Sequence, residues 1–275
     1  MSHSTAETPG VRPAAVAGSF YPGSPAVLAR DLRSLLAEAP PAAGFRAKAI
    51  IAPHAGYVYS GPIAASVYAP LHALRESIRR VVLLGPTHRV AVNGLAAPAV
   101  SAFATPLGVV AVDRAAIAAI APLPQVVVSD AAHALEHSLE VQLPFLQTVL
   151  EQFALVPLAV GRASAVQVAE VLDCLWGGDE TLIVISSDLS HYLPYPVARA
   201  TDSETARQIV ALEPRLDHQQ ACGATPVNGL LLAARRHGLK AQLIDLRNSG
   251  DTAGDRSRVV GYGAFAFSSE LDDVH

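Results

Sequence analysis

Ala49-Ile-Ile-Ala-Pro-His-Ala-Gly-Tyr-Val-Tyr-Ser-Gly61 decides how this chain is read. An apolar run stops at Pro53, and a histidine, a glycine and two tyrosines follow at once. That order describes a buried strand handing a polar side chain to a loop. Two further stretches share the design: Arg80-Val-Val-Leu-Leu-Gly-Pro-Thr-His88 and Thr181-Leu-Ile-Val-Ile-Ser-Ser-Asp-Leu-Ser-His191. Continuous apolar runs of this kind suit parallel strands covered on both faces. Ligands in α/β sheets bind beyond the carboxyl ends of the strands. If the three strands are neighbours and run the same way, His54, His88 and His191 meet at one edge.

Outward from these strands, helical and extended stretches alternate. The spacing predicts helices from Pro25 to about Ala39, from Ile63 to about Leu74, after Asp113, after Ser164, from Thr201 to about Leu212, and from Pro226 to Gly238. Further strands are expected over 94–112, 125–129, 155–160, 240–246 and 258–267. The pattern predicts an α/β fold: a single domain over 11–268 with a mostly parallel or mixed central sheet covered by helices on both faces. Residues 1–10 and 269–275 read as tails.

Composition narrows the function classes. Of the 275 residues 51% are apolar and only 16% charged, so a membrane span has to be considered. The longest uncharged stretch, Val90 to Val112, is broken by Gly94, Pro98, Pro106 and Gly108, which argues against a spanning helix. The net charge of −4 and the absence of a dense basic run exclude nucleic acid as an expected partner. Cys174 and Cys222 lie far apart and outside any C-x-x-C pattern, and the N-terminus lacks an apolar signal core. A reduced, cytoplasmic protein is expected.

Neutral imidazoles ligate iron, copper and zinc. A non-haem Fe(II) centre commonly takes two histidines and one carboxylate, for which Asp188, Glu140, Asp251 and Asp255 are available. A competing motif is His133-Ala-Leu-Glu136-His137, which matches the H-x-x-E-H pattern of zinc peptidases. His137 and Glu140, one turn apart, are an alternative contribution to the wall of the histidine site. Tyr57 and Tyr59 are expected to line it.

Taken together, PHAGYVYSG, GPTHR, EHSLEVQLPFL, SSDLSHY and NSGD…VVGYGAF resemble the Memo family, known in prokaryotes as protein B of the AmmeMemoRadiSam system. The resemblance runs from about Arg12 to Phe267. It implies a LigB-like fold similar to class III extradiol ring-cleaving dioxygenases. It also implies that His54 and His88 are metal ligands, with Asp188 and His191 at the same pocket and His191 as acid/base. Animal members are taken to carry a cysteine in the final polar turn, where this chain has Thr252 beside Asp251. Asp251 is therefore the expected third ligand, whereas Cys222 is expected to be a buried small apolar residue. The expected cofactor is Fe(II), with copper next and zinc behind. The function that follows is a metal-dependent redox enzyme acting on a small molecule. A peptide- or metal-binding protein using the same cleft is the alternative, with a zinc hydrolase behind it. An AMMECR1-like protein and a radical SAM protein are the partners that the resemblance implies.

Overall fold

Four apolar runs become adjacent parallel strands in the computed structural model, which describes residues 10–40 and 46–269. The expected tails therefore lie almost wholly outside the described residues. In chain order the elements begin with β1 (Val11–Arg12), α1 (Pro25–Glu38), β2 (Ala49–Ala52), α2 (Tyr57–Tyr68), β3 (Arg80–Pro86), β4 (Leu95–Ala97), β5 (Ala102–Thr105) and β6 (Gly108–Ala111). There follow α3 (Arg114–Ile120), β7 (Val126–Val128), α4 (Asp130–Ala134), α5 (Leu143–Val149), β8 (Ala154–Val160), α6 (Ala165–Leu175), β9 (Thr181–Ser186) and β10 (His191–Leu193). After these come α7 (Tyr195–Val210), α8 (Ala224–Arg236), β11 (Lys240–Asn248) and β12 (Val259–Ser268).

The large sheet has the order β10-β12-β2-β9-β3-β8-β4-β7, with β11 on the other side of β12's pairing. Its centre, β2-β9-β3-β8, is parallel throughout, while β12 and β4 flank it antiparallel. Every residue of β2 and β9 is buried, as a sheet covered on both faces requires. Helices α1, α2 and α5 pack together as one layer, and α6 with α8 as another. The small sheet β1-β5-β6 stands apart. Among the described residues no helix is long and apolar enough to cross a membrane.

Local signals explain most boundaries. Ser164 caps α6 through a reciprocal capping box with Gln167, and Asp113 accepts from Ala116 N–H to cap α3. Gly238 ends α8 at φ +69°, in the left-handed region. One helix differs from expectation: α2 starts at Tyr57 and runs through Pro62, and Ala69–Leu74 is a 3-10 turn. Pro62 forfeits one backbone bond. Burial of Ile63, Ala64, Ala65, Val67 and Tyr68 outweighs that loss, as does docking of the Tyr57 ring. Similarly α7 begins at Tyr195 instead of Thr201, with Pro196 in its first turn, where a missing N–H costs nothing.

Candidate metal centre

Because β2, β9 and β3 are parallel neighbours, their carboxyl ends deliver His54, Asp188 and His88 to one edge. The ring centroids of His54 and His88 are 5.3 Å apart, and His137 joins them at 5.4 Å from His54 and 4.5 Å from His88.

The orientation of His54 follows from a hydroxyl with a single proton. Ser186 Oγ donates to Ser138 O at 2.6 Å and accepts from Gln142 Nε2 at 2.8 Å. The amide is oriented in turn, because Gln142 Oε1 accepts from Tyr68 OH at 2.8 Å. With its proton committed, Ser186 Oγ accepts from His54 Nδ1 at 2.9 Å. His54 therefore carries its proton on Nδ1 and presents the Nε2 lone pair. Burial, helped by the nearby His88, depresses its pKa to about 3 and keeps it neutral.

His88 is set by Glu136. Its Nδ1 lies 2.8 Å from Glu136 Oε1, and its backbone N–H donates to Oε2. Burial alone would raise the Glu136 carboxyl. The bonds from the His88 ring and backbone and from Ser138 N–H outweigh burial and hold its pKa at about 2. An ionised carboxylate accepts only, so Nδ1 carries a proton toward Glu136 and Nε2 is the nitrogen turned away from it.

The third member of the group is Cys222. Its Sγ lies 3.3 Å from His54 Nε2, and the ligand atoms of His54, His88 and Cys222 are all within 4.8 Å of one another. Its loop is seated against β9 by Cys222 N–H to Asp188 O at 3.3 Å and Gly223 N–H to Ser187 Oγ at 3.0 Å. A side chain at 223 would put Cβ 2.7 Å from Ser187 Cβ, so only glycine permits this approach. Burial, reinforced by Asp188, pushes the thiol up to about 12. His88, Glu136 and His137 form a second group of the same size. There, however, both Glu136 oxygens are already occupied by N–H donors from His88, His137 and Ser138.

The structure relocates several expected residues. Asp251 is not grouped with the histidines: its Oδ1 accepts from Tyr195 OH and its Oδ2 from Asn248 N–H, closing the turn before β12. Thr252 donates to Ser249 O in the same turn, and Asp255 accepts from Ser257. Thus the turn uses its polar groups on itself and on Tyr195, and the residue grouped with His54 and His88 is Cys222. Glu140 is a structural acceptor for Arg12, Tyr21 OH and the backbone N–H groups of Ala15 and Val16, not a pocket residue. Tyr57 is buried between Tyr21 and Phe145 and donates to Val141 O at 2.7 Å, so it packs the core. Tyr59 is 39% exposed on α2.

Asp188 and His191 stay near the cluster. Asp188 Oδ1 accepts from His54 N–H at 2.7 Å, and its Oδ2 is 4.0 Å from His54 Nε2. Burial raises the Asp188 pKa, against the pull of that bond and of His191 and His137. His191 is exposed, and its Nδ1 is 2.8 Å from Leu189 O, so Leu189 and not Asp188 orients the ring, and among the described residues Nε2 has no hydrogen-bond partner. The H-x-x-E-H segment does not form a zinc site on one helix. α4 ends at Ala134, and His133 turns away to bond Ala96 O while His137 faces His88.

Sequence reasoning missed Cys222 as a donor and Glu136 as the partner of His88. The one local signal for the first was a cysteine beside a glycine at an uncapped helix start; the second had none.

A family model described as Memo-like protein matches residues 12–266. A MEMO1 family protein of Ignicoccus hospitalis is 36% identical over 283 residues, covering 94% of this chain and 98% of that one. Another, of Aquifex aeolicus, is 38% identical over 264 residues, covering 92% and 97%. Among solved structures, an uncharacterized protein of Escherichia coli K12, JW3007, aligns at TM-score 0.50 and 16% identity, over 78% of this chain and 98% of that one. That likeness concerns the fold.

Proposed function

We propose, from the premise that this chain belongs to the Memo-like family, that His54, His88 and Cys222 hold a redox-active metal ion and that the protein is a metal-dependent oxidoreductase acting on a small organic substrate. The observation that carries the reading is three donor groups with ligand atoms within 4.8 Å, two of them imidazoles whose Nε2 lone pairs are fixed by hydrogen bonds at Nδ1. Two imidazoles and a thiol suit iron or copper, and replacing the expected carboxylate by sulfur moves the preference toward copper. Bound there, the ion would supply one-electron chemistry and open coordination positions.

The chain's own groups then have definite tasks. Ser186 and Glu136 hold the two rings in their ligating tautomers. Exposed His191, with Nδ1 engaged by Leu189 O, offers Nε2 to take a proton from a substrate hydroxyl. Asp188 places a carboxyl beside His54, and His137, stacked on His88 and backed by Phe20, forms one wall of the centre. Cys174 and Cys222 are free thiols, which fits action in a reducing cytoplasm.

Anaerobic purification followed by metal analysis tests the reading. Iron or copper should be stoichiometric in the wild type and lost from His54→Ala, His88→Ala and Cys222→Ala. Metal retained by all three variants would overturn it, and zinc alone in the wild type would replace redox chemistry with a hydrolytic or structural site.

A further inference from the structure

The fourth parallel strand also delivers a polar residue. β8 ends at Val160, which pairs with Pro86 at the end of β3, so Arg162 stands two residues past its strand just as His88 stands two past its own. Between these ends lies a cavity of about 450 Å³ that has His88 and Cys222 on its wall together with Arg162. That volume falls in the range of small-molecule sites, roughly 300–1,000 Å³. Val92, Val160 and Ala163 supply apolar lining, and no carboxylate lines the cavity among the described residues.

Arg162 is held at its backbone and is exposed. Its N–H donates to Val92 O at 2.7 Å, and its carbonyl accepts from Gly94 N–H at 2.8 Å. Its guanidinium has no ion pair or hydrogen bond among the described residues. α8 starts at the same cavity, where Thr225 is part of the lining and Gly223 gives no side-chain cap. The helix therefore adds its positive end to the charge of Arg162. An exposed arginine on the wall of a small, partly apolar cavity, with no acid lining that cavity among the described residues, is matched by an organic anion.

We propose that Arg162 binds an anionic group of the substrate, and that the substrate class is a small organic acid with a ring-sized apolar body, carboxylate or phosphate on Arg162 and reactive end toward His88 and Cys222. The assignment rests on reading that cluster as the reacting centre. Carboxylate and phosphate share the recognition chemistry and are separated by the test.

Calorimetric titration of the as-purified protein with benzoate, phenyl phosphate and neutral benzamide, with metal content measured on the same samples, decides the matter. At least one anion should bind about tenfold or more tighter than benzamide, and R162Q should abolish that preference while keeping wild-type metal content. The anion that wins names the group. Arg89→Gln, a neighbouring exposed arginine, should keep the preference. Equal binding of anion and amide, a preference surviving in R162Q, or loss of metal in R162Q would each overturn the assignment. A wild type that binds the anion but holds no metal would overturn the centre and leave the role of Arg162 standing.

Discussion

Cys222 Sγ lies 3.3 Å from His54 Nε2, although 168 residues separate the two in the chain. Without metal the half-buried thiol keeps its proton and donates it to the Nε2 lone pair, so the pair is held together before any ion arrives. Because Ser186 and Glu136 fix the two rings at Nδ1, substituting Cys222 should remove a ligand without reorienting them. Cys222→Ser is expected to lower iron or copper affinity by at least ~100-fold, whereas Asp251→Asn and Thr252→Ala leave it unchanged, as read by chelator competition. Affinity lost in Asp251→Asn but kept in Cys222→Ser would restore the carboxylate-ligand set.

Binding should also depend on pH through that thiol. Its pKa is raised to about 12 by burial and by Asp188, so coordination at neutral pH must expel the proton. His54, depressed to about 3 chiefly by burial, is already neutral and adds no dependence above pH 6. Affinity should rise about tenfold per pH unit between roughly 6 and 9, and the slope should vanish in Cys222→Ala. Competition titrations at three pH values measure it, and an equal slope in the variant would contradict the assignment.

Ser186 and Glu136 should act on the centre without touching the metal. In Ser186→Ala the His54 proton loses its acceptor, and in Glu136→Gln the His88 ring loses its charged partner. Each should weaken metal binding by about 10–100-fold in a protein that remains folded. Nitrogen NMR of the imidazoles supplies a direct check: the Nδ1–H tautomer of His54 should dominate in the wild type and give way to a mixture in Ser186→Ala.

The Arg12–Glu140 pair predicts the opposite pattern. Both side chains are buried, and Glu140 also takes Tyr21 OH and two backbone N–H groups, which pins the N-terminal segment to the 3-10 turn Glu140–Gln142. Removing one partner leaves the other charge buried and unpaired. Arg12→Ala should cost about 3–5 kcal/mol in denaturant unfolding, with metal stoichiometry unchanged below the transition. A loss of metal from the folded variant would place Glu140 back at the site.

Acid should destabilise the fold through buried histidines. His133 has its pKa lowered to about 4, first by burial and only partly offset by its bond to Ala96 O. The unfolded chain, at about 6.5, binds the proton sooner. This stability is therefore present above about pH 6.5 and lost as pH falls toward 4, by up to about 3 kcal/mol for one such group. His137, also lowered to about 4 by burial, contributes with the same sign. Denaturant titrations between pH 7.5 and 4.5 should show His133→Gln with a shallower slope, by about one proton. An unchanged slope would show that His133 protonates freely in the folded state.

Much of the fold was legible because its signals are local. The runs at Ala49–Ala52, Arg80–Pro86 and Thr181–Ser186 read as buried parallel strands since both their faces are apolar, and the residues just past them had to face the carboxyl edge. The polar turn at Asn248–Asp251 misled for the same reason. A polar turn has the same sequence appearance whether its carboxylate holds an ion or, as here, holds Tyr195 and the backbone of Asn248. The segment His133–His137 misled because its spacing implied one helix, whereas α4 stops at Ala134 and turns the two rings apart.

By itself, then, the sequence determined that His54, His88 and Asp188 stand at strand ends, since alternation and burial along a strand depend only on near neighbours. Tertiary structure alone decided that Cys222 lies beside His54 and His88, that Ser186 and Glu136 bond the Nδ1 atoms of the two rings, and that Arg162 shares a cavity with His88. Those relationships depend on the strand order β2-β9-β3-β8 and on a glycine-tight contact between the Cys222 loop and β9, and long-range packing of this kind leaves no periodic mark in the chain.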